Sequence, residues 1–201
     1  MSGLRLPFTP GPSVRTERLV LRAFREGDLD ALHPLHSDPE AVRYVPFPPR
    51  DLATMTAALS RKMRATRLEQ DGDVLEFAVC LHDGTLIGDL MLALQSVEHA
   101  SLEVGYLFDL ALAGRGYATE AVAAVLEMAF AGMGAHRVVA RVDARNASSR
   151  ALCARLGMRQ ESHLVENEWL KGEWSSETGY ALLAREWAAR PRWSVQSGQS
   201  T

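Results

Sequence analysis

Apolar and polar residues alternate from Arg18 to Arg22, which predicts a strand. Leu29, Leu32 and Leu35 then fall along one side of the segment Asp28 to Leu35, a spacing that predicts a helix. A second helix is expected around Pro39 to Tyr44, and VPFPP at 45–49 reads as a loop because proline cannot continue one. Helical spacing resumes from Leu52 to Leu68 through Met55, Leu59 and Met63. Two strand-like runs follow, Glu76 to Leu81 and Thr85 to Leu94, separated by HDG, whose Asp-Gly pair suits a hairpin turn with positive φ. A third run, Leu102 to Phe108, leads into a glycine turn, and the helix predicted over 118–131 buries Val122, Val125, Leu126 and Ala129 before Gly132 and Gly134 end it. Arg137 to Val142 alternates as a strand, Asn146 caps a short helix ending at Gly157, and strands at 159–168 and 177–183 complete the chain. The pattern is α+β with a mixed, mostly antiparallel sheet flanked by helices.

Residues 1–14 are rich in Pro and Gly and read as a flexible arm, and 191–201 as a flexible tail, around a single domain at 15–190. A chain of 201 residues with 47% hydrophobic composition suits one such core. The net charge of −3 provides no basic footprint, so no nucleic-acid partner is expected. No apolar run is long enough to span a bilayer and the first residues lack a signal-peptide core, so the expectation is a cytoplasmic protein without a membrane partner. Cys80 and Cys153 form no C-x-x-C and read as reduced thiols. Of six histidines only His33 and His36 share a helix face, with no third ligand nearby, so no metal is expected.

The stretch DLALAGRGYATEA, residues 109–121, carries the first chemical signal. A glycine turn feeding a helix N-terminus presents unpaired N–H groups, and the helix dipole favours an anion there. A P-loop would need Lys and then Ser or Thr after its last glycine, where this chain has Tyr117 and Ala118. A dinucleotide fingerprint fails at Thr119, which stands where its third small residue should be. A tight turn that binds nothing is the plain alternative.

Taken together, EVGYLFDLALAGRGYATEA, RVVARV and NASSRALCARLGM resemble the core of the GCN5-related N-acetyltransferases. TERLVLRAFREGDLDAL and EWLKGEWSSETGYALLAREW are more closely similar to the ribosomal-protein alanine acetyltransferases, RimJ and RimL, and their relatives. The resemblance runs from about Thr16 to Trp187. It implies a fold whose fourth strand splays from its neighbour, with the main chain of Tyr106, Leu107 and Phe108 lying along the pantetheine and thioester of acetyl-CoA. It also implies that Gly114, Arg115, Gly116, Tyr117, Ala118 and Thr119 cradle the pyrophosphate, although Ala113 replaces the Gln or Arg that usually opens that loop. Arg115 is either a phosphate ligand or a solvated side chain.

Acetyl transfer to an amine requires an unprotonated nucleophile, a donor to the oxyanion and a proton for the departing thiolate. Many members of the family carry a tyrosine for that proton at the position of Cys153, so the resemblance points to Ser149 instead. Asn146 reads as a helix cap on its own and as a pantetheine ligand by resemblance. Glu168 is the implied base, with Trp169 expected to exclude water from it and raise its pKa; a water chain is the alternative, and Tyr180 and Glu166 are weaker candidates. The implied activity is transfer of acetyl to a primary amine of a protein N-terminus or a small molecule by direct attack in a ternary complex. Transfer of a larger acyl such as succinyl, or a non-catalytic CoA-binding module, remains the alternative. The partners are acyl-CoA and an amine, and a homodimer is left open. Residues 45–49 and the segment Glu166 to Trp174 are expected on the acceptor side.

Overall fold

Strand alternation at the centre of the chain produces a sheet with a separate core on each face. In the computed structural model, which describes residues 3–190, β3 (Val74–Leu81) sends Phe77 and Val79 into a large cluster with α3 (Tyr117–Glu127) and α4 (Ala147–Arg155). Ala78 and Cys80 point the other way, into a smaller cluster with Leu32 of α1 (Leu29–Ser37) and Met55 and Leu59 of α2 (Leu52–Arg64). The other described strands are β1 (Ser13–Arg15), β2 (Leu19–Arg22), β4 (Leu86–Ser96), β5 (Ser101–Phe108), β6 (Arg137–Asp143), β7 (Arg159–Leu170) and β8 (Glu173–Leu183). They form one sheet in the order β1-β2-β3-β4-β5-β6-β8-β7. A short helix, α5 (Ala184–Ala188), ends the described chain.

All neighbours are antiparallel except β5 and β6, and a parallel pair needs a crossover. α3 provides it, and its residues Thr119 to Leu126 are all buried because the helix lies under the sheet. The predicted helix over 118–131 continues from α3 as a π-helical turn, Met128–Gly132. The α+β expectation and the Asp-Gly hairpin are both met, with Gly84 at φ 93° between β3 and β4.

Three expectations are corrected. The helix around Pro39 to Tyr44 is a series of turns held by Val42 N to Asp38 O (3.1 Å) and Arg43 N to Glu40 O (3.3 Å). Six residues ahead of Pro46 are too few to repay nucleation, and the residue before a proline avoids helical angles. Residues 3–14 are not a loose arm: Leu4, Leu6 and Phe8 pack on the main core, and Arg5 N donates to Met133 O at 2.8 Å. Phe8 and Leu68 exchange two backbone hydrogen bonds of 2.9 Å, which is why α2 stops at Arg64 instead of reaching Leu68. The tail at 191–201 lies outside the described residues.

Candidate active site

The parallel ladder between β5 and β6 is short. Pairing runs from Ser101 with Arg137 to Glu103 with Val139 and then ceases, although β5 stays paired with β4 as far as Phe108. The strands therefore part, and Val104 to Leu107 on one side face Ala140 to Asp143 on the other across a cleft of about 690 Å³. This is the splay that the sequence implied; the strand is fifth here because Ser13–Arg15 adds one at the edge. Gly88 is required opposite it, since a Cβ there would lie 2.6 Å from Leu107 O. Tyr106 and Leu107 line the cleft, whereas Phe108 packs on the core.

Beyond β5, Asp109 Oδ1 accepts from Ala111 N at 2.8 Å and turns the chain toward the glycine loop. Gly114 and Gly116 have φ of 77° and 82°, the left-handed region where glycine is unstrained. Among the described residues no N–H of Gly114 through Thr119 has a partner, and the first to be used is Glu120 N, which donates to Gly116 O at 3.0 Å. The loop is pinned from the side by Glu120, which accepts from Thr16 Oγ1 at 2.5 Å, Arg18 N at 2.8 Å and Arg18 Nε at 2.7 Å. Burial opposes ionisation of Glu120, but these bonds from Thr16 and Arg18 hold its carboxyl below the usual range. Arg18 Nη1 also donates to Arg115 O at 2.9 Å, leaving the Arg115 side chain exposed. Arg155, which sequence reasoning missed, reaches Thr119 Oγ1 at 2.9 Å and puts a cation at the head of α3.

α4 follows β6 and brings its first turn to the cleft. Asn146 Oδ1 accepts from Ser149 N at 3.0 Å, so Asn146 does cap this helix, and both residues line the cleft. Cys153 is fully buried one turn on, and burial pushes its thiol up to about 11. The hydroxyl of Tyr106 is buried without a hydrogen-bond partner, although Cys153 and Ser149 lie close enough to influence its ionisation. Burial first, with Cys153 adding, raises the phenol well above its ordinary value and keeps it neutral.

On the far side, β7 and β8 place Glu168 opposite Ser175 and Trp169 opposite Trp174. Adjacent strand residues face opposite ways, so Glu168 lines the cleft while the two tryptophans pack edge to face at 5.3 Å on the other surface. Trp169 therefore does not shield Glu168, which corrects that expectation. Glu177 was missed and also lines the cleft; burial, with Glu168 and Glu103 nearby, raises its carboxyl pKa while Arg141 opposes the shift. Glu166 sits at φ 48° in a bulge away from the cleft and Tyr180 is in the core.

Sequence reasoning also missed a buried charge cluster at the opposite end. Lys62 Nζ meets Glu76 Oε2 at 2.7 Å and Asp89 Oδ2 at 2.9 Å, and His36 Nε2 meets Asp89 at 2.8 Å. Burial opposes ionisation of Asp89, but Lys62 and His36 hold its carboxyl down to about 2. Burial raises Glu76 against the pull of Lys62. The one visible signal was an acid inside an apolar strand, GDLMLAL. Phe47 of the 45–49 loop stacks on His36 at 5.4 Å, which places this loop on the cleft as expected.

Comparison with known proteins agrees with this architecture. The acetyltransferase (GNAT) domain model matches residues 18–159. The chain is 31% identical over 178 residues to the Bacillus subtilis protein named uncharacterized N-acetyltransferase YnaD, covering 87% of this chain and 98% of the relative. A crystal structure of a GNAT-family acetyltransferase from Bacillus anthracis superposes with a TM-score of 0.78 at 27% identity, covering 87% of this chain and 99% of the other. A spermidine N-acetyltransferase from Vibrio cholerae, solved with CoA and spermine, shares the fold with a TM-score of 0.73 at 22% identity over 85% of this chain and 98% of its own. With its parted β5 and β6, free-amide glycine loop and matching family model, this chain belongs to the GNAT acetyltransferase family and is an N-acetyltransferase.

Proposed function

We propose that the protein transfers acetyl from acetyl-CoA to a primary amine in a ternary complex, and that it is a relative of the ribosomal-protein alanine acetyltransferases. The observation that carries the donor is the continuity of the parted β5 with the loop of free N–H groups at 114–119. The loop amides grip the pyrophosphate, with Arg115 and Arg155 adding charge. The main chain of Tyr106, Leu107 and Phe108 runs along the pantetheine, and Asn146 meets its amides. The amine attacks the thioester carbon, the C–S bond breaks, and the ammonium proton leaves to a carboxylate. Glu168 is the proposed base, with Glu177, whose carboxyl pKa burial raises, beside it. Ser149 delivers a proton toward the departing sulfur.

The test is free-thiol release from acetyl-CoA and from succinyl-CoA with a panel of amines, followed by mass spectrometry of the products. Acetyl-CoA is expected to turn over and succinyl-CoA to lag, and preferential use of succinyl-CoA would overturn the donor assignment.

A further inference from the structure

The acceptor end of the cleft is electrically two-sided. On the β7/β8 side, Arg141 is committed to Glu103 at 2.6 Å and Arg145 to Asp143 at 2.7 Å, which leaves Glu168 and Glu177 without an ion pair among the described residues. On the α2 side the balance is reversed. Lys62 is spent on Glu76 and Asp89, while Arg50 and Arg61 also line the cleft and have no carboxylate within ion-pair distance among the described residues.

Arg50 is the more informative of the two. It is half-buried, its guanidinium lies 3.9 Å from the centre of the Phe47 ring, and Nη1 is 3.3 Å from His36 Nδ1. Its backbone N donates to His36 O at 2.9 Å, which fixes the base of the side chain as well. A guanidinium has five N–H donors, so most of this oriented fork is unused. Asp89 and Glu76 attract this guanidinium from beyond ion-pair distance, but burial without a directly paired carboxylate is still costly, and the planar fork matches one.

Resting on the acetyltransferase reading, we infer that the acceptor is an amine that also carries a carboxylate, an amino acid or short peptide, whose anionic group is received by Arg50 with Arg61 behind it. The sheet order gives the geometry. β4 carries Asp89 at the cationic end, the parted strands β5 and β6 come next, and β8 and β7 carry the free glutamates. Arg50 and Arg61 come from the loop before α2 and from α2 itself, on the β4 side of the split and away from the glutamates of β7 and β8. The glutamates then sit on the amine side and the arginines on the acid side. A polyamine would instead direct its second cation at Arg50 and Arg61.

The test measures acetylation by the full-length protein of amino acids of increasing length and of dipeptides, each beside its C-terminal amide, with spermidine as the dicationic control. Free acids are expected to exceed their amides by at least about tenfold in kcat/KM, which is about 1.4 kcal/mol. Arg50→Gln should remove that preference through KM for the acids and leave the amides and acetyl-CoA affinity unchanged. Arg61→Gln, at an exposed position, should reduce it in part and guards against a folding defect in the first variant. Equal use of acids and amides, or spermidine as the best acceptor, overturns the inference while leaving the acetyltransferase reading intact. No acetylation of any amine, with no thiol released, overturns both.

Discussion

Gly116 combines two constraints, a φ of 82° and an imagined Cβ only 3.4 Å from Arg18 Nη2. A β-branched residue there is strained at the backbone and crowds the arginine that pins the loop through Glu120. Gly116→Val is accordingly expected to weaken CoA binding by at least about tenfold, ~1.4 kcal/mol, by calorimetry on the folded variant. Ser149 stands beside a neutral Tyr106 and in front of a buried Cys153 thiol. If Ser149 supplies the leaving-group proton, Ser149→Ala should lower kcat by roughly 10²-fold with CoA affinity unchanged, because that help is felt mainly in the transition state. Cys153→Ala should leave kcat within a few-fold, since the thiol faces the core; a large loss there with a mild Ser149→Ala would transfer the role. Ser149 was legible only through the resemblance, while Glu177 and Arg155 were not legible at all, because a strand Glu and a helix-end Arg look alike whether they face solvent or a cleft.

At the level of elements, the N-terminal strap departs most from the sequence expectation. A Pro- and Gly-rich stretch reads as a loop, yet Leu4, Leu6 and Phe8 recur at every second position and all reach the core. Phe8 is only half-buried, so Phe8→Ala should cost about 1–2 kcal/mol, less than a fully buried aromatic. Urea unfolding measures it, with acetyl-CoA affinity expected to stay constant; an unchanged midpoint would mean that the strap contributes nothing to stability. The long helices and the central strands were readable because their apolar spacing persists over several turns or pleats. The segment Pro39 to Tyr44 was not, since six residues carry too little periodicity to distinguish a helix from successive turns.

On the scale of the whole molecule, the buried cluster links stability to pH. The Asp89 carboxyl falls from an ordinary 3.8 to about 2 in the folded protein. A depressed carboxylate stabilises the fold above its unfolded pKa and loses that contribution as pH falls through the folded value. Asp89 should therefore contribute roughly 2 kcal/mol at neutral pH, lost progressively between about pH 4 and pH 2. Chemical denaturation across this range should show the acid limb, and Asp89→Asn should flatten it; an identical limb in the variant would remove Asp89 as its source. Glu76 acts in the opposite sense, since its raised pKa favours the fold at low pH and that advantage fades as pH rises.

The sequence by itself determined the local elements, the helix cap at Asn146, the Asp-Gly hairpin and the glycine loop ahead of α3, because each depends on residues a few positions apart. Its resemblance to acetyltransferases also pointed to Ser149 and Glu168, both of which line the cleft. Only the tertiary structure decided where β5 leaves β6, how Glu120 is tied to Thr16 and Arg18, and which charges remain unpaired at the acceptor end. Those features join residues far apart in the chain, such as Arg50 with His36 or Lys62 with Asp89. Burial and ion pairing are set by what the fold places beside a side chain, and no local pattern encodes that neighbour.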